Sequence, residues 1–185
     1  MTPFEHISVL LSIVVGFAIT TLLAGAVRLI HRRNAVVWYW PTLLWMITML
    51  LLDVQIWWSR FSWRTLPTWT FATFFAMLLV PIGAFALSAL LVAEPDEKPI
   101  DQRKEYFARR QAFFGIGVFT IAASFLPDLL VTGHWGHPLD VAVKSTWIVL
   151  DCLALVSANE RFHKGLAIVT LLMTGAYIAL LFAAI

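Results

Sequence analysis

From Phe4 to Ile30 the chain runs through 27 residues that are almost wholly apolar. In water a helix of that composition has no polar face to present, whereas in a bilayer it is long enough to cross about 30 Å of hydrocarbon with some tilt. Backbone amides in hydrocarbon must be satisfied within the segment, and a helix does this. Five more apolar stretches follow, at 36–58, 69–92, 112–131, 139–157 and 166–184. Of the 185 residues 61% are hydrophobic and 13% charged, against about a quarter charged in a soluble domain. The expected fold is all-α: a single membrane domain over residues 1–185, built as a polytopic bundle of six transmembrane helices. The opening MTPFEHIS lacks the basic start of a cleavable signal, so the first stretch is read as a retained span.

Basic residues set the expected orientation. Arg28, Arg32 and Arg33 flank the first connection, Lys98, Arg103, Lys104, Arg109 and Arg110 lie in the third (93–111), and Arg161 and Lys164 lie in the fifth. Those ten of the thirteen place the odd connections in the cytoplasm and both termini outside, N-out and C-out. The net charge of +2 and the position of the bases beside apolar segments give nothing for nucleic acid to bind. Cys152 is the only cysteine, which removes disulfides and thiolate-rich metal sites.

Packing signals are local. Ser8, Ser12, Gly16, Thr20 and Ala24 recur every fourth residue, a ridge of small side chains that should pack closely on a neighbour in the same or another subunit. A homo-oligomer is expected through that ridge or through Thr170, Thr174, Gly175 and Ala179. Trp38, Trp40, Trp57 and Trp58 bound the second span as interfacial belts, and Pro41 fits its first turn. Pro81 should kink the third.

The stretch DVAVKSTWIVLD, Asp140 to Asp151, puts three ionisable groups into an otherwise apolar span. At about 100° per residue Asp140, Lys144, Trp147 and Asp151 share one face, which must look into protein or water because an unpaired charge in hydrocarbon costs a few kcal/mol or more. Asp53, Asp128, Asp140 and Lys144 all fall in the outer half of their spans and Asp151 lies deeper, the pattern of a vestibule open outward and narrowing inward. Asp53 and Lys144, each about 7 Å below the outer surface, could pair. Alternatively Lys144 bonds Asp140 one turn away, and Asp151 accepts a hydroxyl from a neighbouring helix.

Two other constellations stand beside this one. Glu5, His6, His134, His137 and Asp140 lie near the outer surface and suit a divalent metal if three or four of them converge; otherwise they are solvated, and no cofactor is needed. Tyr106, Arg109, Arg110, Arg161 and His163 form a cytoplasmic rim that could dock a soluble partner or an anionic headgroup, although inner-face anchoring accounts for such residues as well. Gly-rich phosphate loops, GxSxG, HExxH and a cysteine paired with a base are all lacking, so no enzyme activity is expected.

The runs FEHISVLLSIVVGFAIT at Phe4–Thr20, EYFARRQAFF after the acidic loop and NERFH at Asn159–His163, with the tryptophan-bounded second span, resemble a group of small bacterial inner-membrane proteins without an assigned function. The resemblance covers most of the chain. It implies a bacterial cytoplasmic membrane and transfers no functional residue. The functional expectation is a small channel- or transporter-like protein passing protons, ions or a small solute through the outward vestibule. The alternatives are an accessory or sensor subunit working through the cytoplasmic rim, and an outer-leaflet metal-binding protein.

Overall fold

The structure, a computed structural model, describes residues 3–66, 68–92 and 99–181. It is all-helical apart from one two-residue strand pair. The long helices are α1 (Pro3–His31), α2 (Trp40–Ser59), α3 (Phe71–Leu91), α4 (Gln102–Ala123), α6 (Pro138–Val156) and α7 (Glu160–Leu181), and a short α5 (Leu126–Thr132) prolongs α4. Five helical segments are long and apolar enough to cross a membrane: α1, α2 with the 3-10 turn after it, α3, α4 with α5, and α7. Helix α6 has 19 residues, about 28 Å, and is set apart by Asp140, Lys144 and Asp151.

The outside of the bundle is as apolar as its core. On α1 the buried stripe is Leu11, Val15, Ala18, Leu22 and Leu29, while Phe17 on the opposite face is 60% exposed; on α7 Leu172 is 68% exposed. A soluble bundle places charge on those faces; here hydrocarbon is the matching solvent. The buried stripe on α1 is also not the small-residue ridge. Ser12 and Thr20 are exposed and Gly16 has open space around it, so within one chain the expected close packing of that ridge does not occur. Leu11, Val15, Leu22 and Leu29 offer more apolar area to the neighbouring helices, and they take the interface.

Contacts give an alternating up-down arrangement. Trp57 Nε1 donates to Ser12 Oγ at 3.1 Å, setting α2 antiparallel to α1, and Phe4 meets Trp69 at the same end. Helix α6 runs antiparallel along α4: Arg110 Nη2 donates to the Leu155 carbonyl at one end, Gly117 backs Asp151 midway, and Lys144 lies over the Phe125 ring near the other. Helix α7 returns along α6, from His163 beside Ser157 to Tyr177 beside Asp140. The N-terminal end of α1 and the C-terminal end of α7 therefore share one end of the bundle. The described basic residues of the first, third and fifth connections gather at the other.

Several elements differ from the sequence expectation. The polar residues before 112, expected as a short loop and a helical turn running into the fourth span, are helical from Gln102, further back than a single turn, with Asp101 Oδ1 accepting the Lys104 amide as an N-cap. Helix α7 likewise begins at Glu160 rather than 166, with Asn159 Oδ1 accepting the Arg161 amide. Pro127, lacking an amide proton, ends α4 at Ala123, with Ser124 as its C-cap, and restarts the chain as α5. The second span opens as a strand: β1 (Val36–Val37) pairs in parallel with β2 (Ile100–Asp101), and the Tyr39 amide donates to Gln102 Oε1 at 2.9 Å. This strap ties the first connection to the third. Pro81 lies inside α3, which is helical on both sides of it. Of the 93–111 segment, residues 93–98 lie outside the described residues.

Candidate functional site

Two cavities lie end to end between α2, α3, α4, α6 and α7. The outer one, about 390 Å³, opens at the end of the bundle where the chain begins and is lined by Arg60, Asp128, His137, Asp140 and Lys144 among others. The inner one, about 130 Å³, reaches Trp45, Phe113, Trp147 and Asp151. Gln55, Ile56, Val80, Ser124, Lys144 and Tyr177 line both, so they form the neck between them. The space narrows inward toward Asp151.

The outer cavity is charge-balanced. Lys144 Nζ bonds Asp140 Oδ2 at 2.6 Å, one helical turn away on α6, and both side chains are largely buried, 13% and 12% exposed. Asp140 Oδ1 accepts the Tyr177 hydroxyl of α7 at 2.6 Å. Asp128 stands across from them: a Cβ on Gly136 would lie 3.2 Å from Asp128 Oδ2 and 3.7 Å from Asp140 Oδ2. Gly136, with φ of 96°, holds a left-handed turn that lets both carboxylates approach the backbone. His137 Nδ1 accepts the Leu139 amide at 3.3 Å and so caps α6.

Beyond the paired Lys144 at its neck, the inner cavity has one charge. Asp151 projects from α6 against α4, where Gly117 makes room for it: a Cβ there would lie 2.6 Å from Asp151 Oδ2. No hydrogen bond or ion pair engages its carboxylate among the described residues, and the cavity is what it faces. Thr120, in the same wall, spends its hydroxyl on the Ile116 carbonyl at 2.7 Å.

Asp53 does not belong to this space. It is fully buried between α2 and α3, where Ser88 Oγ donates to its Oδ2 at 3.3 Å and Oδ1 has no partner. Of the two readings of Lys144, the structure holds the bond to Asp140 one turn away, and Asp53 does not pair with Lys144. Equal depth did not mean facing sides: α3 takes the Asp53 face of α2, while Lys144 finds its carboxylate on its own helix.

Below Asp151 the bundle is sealed. Trp45 packs edge-on against Phe113 and Phe114, with centroids 5.2 and 5.5 Å away. Next comes His163, wholly buried among Tyr106, Phe107, Phe114 and Phe162. Its Nε2 lies 2.8 Å from the Ser157 carbonyl, which can only accept; Nε2 thus carries the proton, and Nδ1 accepts the Tyr106 hydroxyl at 2.9 Å. Arg109 Nη1 donates to the Val92 carbonyl at 2.8 Å and its Nη2 pairs with Glu105 at 2.9 Å, closing the end of α3. Arg110 holds the end of α6 through Leu155. Of the expected rim, Tyr106, Arg109, Arg110 and His163 thus spend their polar groups inside the chain, and Arg161 is the exposed member.

The outer histidines stay apart. Glu5 and His6 are exposed on the first turns of α1 and His134 is exposed before α6. No group of three or more His, Cys, Asp or Glu side chains converges as metal ligands among the described residues. Arg60 and Tyr177 line the site although neither stood out in sequence; a tyrosine near the outer end of an apolar span, facing the acid-bearing stripe of its neighbour, was the available signal. No protein family, curated protein or solved structure matches the chain.

Proposed function

We propose that the chain is a six-span, N-out and C-out protein of a bacterial cytoplasmic membrane that moves a proton, an ion or a small solute by a transporter-like mechanism, with the nested cavities as its outward-facing path. The observation that carries this reading is the pair of cavities itself: an outer chamber holding the Lys144–Asp140 ion pair, a neck at Lys144 and Tyr177, and an unpaired carboxylate at the closed end. A buried acid without a partner is costly, and structural spans avoid it. Six spans follow if α6 crosses with the others, its charged face turned inward and its Val149, Leu153 and Val156 outward. The aromatic layer under Asp151 closes the inner end, so passage requires rearrangement there, as alternating access does.

The test is flux in proteoliposomes, read with proton- and cation-sensitive dyes. The native protein is expected to support flux that Asp151→Asn loses and that Arg109→Ala with Arg110→Ala, on folded protein, retains. Native liposomes as tight as empty ones to every proton, ion and small-solute probe tried would remove the transport reading.

A further inference from the structure

We propose that the inner cavity is a binding site for a small organic ammonium ion, with Asp151 as its counter-ion; this deepens the transport reading and rests on it. Four aromatic side chains, Trp45, Phe113, Trp147 and Tyr177, stand in the cavity's otherwise mainly aliphatic wall, and its one unpaired charge is a carboxylate. An ionised carboxylate in such a place needs a cation. The Lys144 ammonium at the neck is already neutralised by Asp140 at 2.6 Å, so it does not cancel Asp151.

Three features select the class of cation. A bare divalent metal ion favours several charged ligands, and here Asp151 is the one carboxylate, beside the neutral side chains of Gln55, Thr120, Ser124 and Thr170, with no converging group of three His, Cys, Asp or Glu among the described residues. Aromatic rings around one acid are what alkylammonium ions recognise, through attraction between the ring faces and the charge. Size is the third. The cavity is about 130 Å³, and an apolar protein cavity of about 150 Å³ holds benzene. The site therefore suits an ammonium of about five heavy atoms. Gly117 is the element that specifies it, since any side chain there would displace the Asp151 carboxylate.

The experiment uses purified full-length protein in detergent and calorimetric titration with tetramethylammonium, with tert-butanol as an uncharged molecule of like shape. Saturable binding of tetramethylammonium that tert-butanol does not displace is expected, with at least tenfold weaker binding in Asp151→Asn and retained binding in Asp151→Glu. Absence of saturable binding to the native protein, or equal binding of tert-butanol, would overturn the proposal without relying on any variant. Equal affinity in folded Asp151→Asn would overturn it too. The flux assay separates the two readings: ammonium binding without flux keeps this site and removes transport, whereas Asp151-dependent proton or ion flux without ammonium binding does the reverse.

Discussion

Removing both partners of the Lys144–Asp140 pair should cost no more than removing either one alone. The two groups lie 2.6 Å apart with side chains 13% and 12% exposed. At an effective dielectric constant of about 20 their attraction is on the order of 6 kcal/mol, and desolvation of the two ions offsets most of it. The pair is then nearly neutral as a unit, while either ion alone is not. Lys144→Met leaves Asp140 with only the Tyr177 hydroxyl, and should cost about 3 kcal/mol, at the low end for a broken buried pair because the outer cavity admits water. Asp140→Asn leaves Lys144 over the Phe125 ring, 5.1 Å from its centroid, and should cost about 2 kcal/mol. The double variant should lose about 2 kcal/mol, which makes the coupling about 3 kcal/mol. Unfolding in mixed micelles with rising SDS fraction, followed by circular dichroism, measures each corner of the cycle. Additivity within about 0.5 kcal/mol would refute the reasoning and mean that the two charges are separately hydrated.

Three further outcomes are expected. Gly83→Ala puts a Cβ into the Thr120 hydroxyl where α3 and α4 touch, and should destabilise by about 1–3 kcal/mol in the same unfolding assay, with Thr120→Ala restoring most of the loss; no loss would mean the helices are not in contact there. Gly117→Ala meets only the movable end of Asp151, so it should cost less than about 1 kcal/mol in stability yet lower Asp151-dependent flux, and unchanged flux would count against placing the path at that wall. Arg109→Ala removes charge-assisted donors from the Val92 and Leu90 carbonyls and should cost about 2 kcal/mol, with amide exchange rising first in the last turn of α3; exchange rising uniformly would place the effect elsewhere.

Length and hydropathy made the long helices legible, because a run such as Phe71–Leu91 has no other way to satisfy its backbone in hydrocarbon. The inward stripe of α6 was legible too, since three charges on one face have few tolerable environments. What escaped is azimuth and long-range pairing. Helical periodicity says that Asp53 faces something, but not that Ser88 of α3 is that something. Two-residue strands carry no period, so Val36–Val37 beside Ile100–Asp101 left no mark. Apolar content places the start of α7 at 166 and only a turn of helix before 112 in α4, whereas the caps Asp101 and Asn159 mark the helix starts at Gln102 and Glu160. The rim arginines read as exposed anchors, whereas Arg109 and Arg110 are drawn to the carbonyls at the ends of α3 and α6, a demand visible only once those ends are in place.

The central claim is a path open from the outside as far as Asp151 and closed beneath it. Its most direct test is thiol accessibility in right-side-out vesicles, with Cys152→Ser as background and a small membrane-impermeant reagent added outside. Ser124→Cys at the neck and Thr170→Cys in the inner cavity should be modified, as should an outer control at Ser62→Cys, while Phe114→Cys in the aromatic layer should not. Modification of the Ser62 control with protection of both cavity positions, or labelling of those positions only from the cytoplasmic side, would contradict the account.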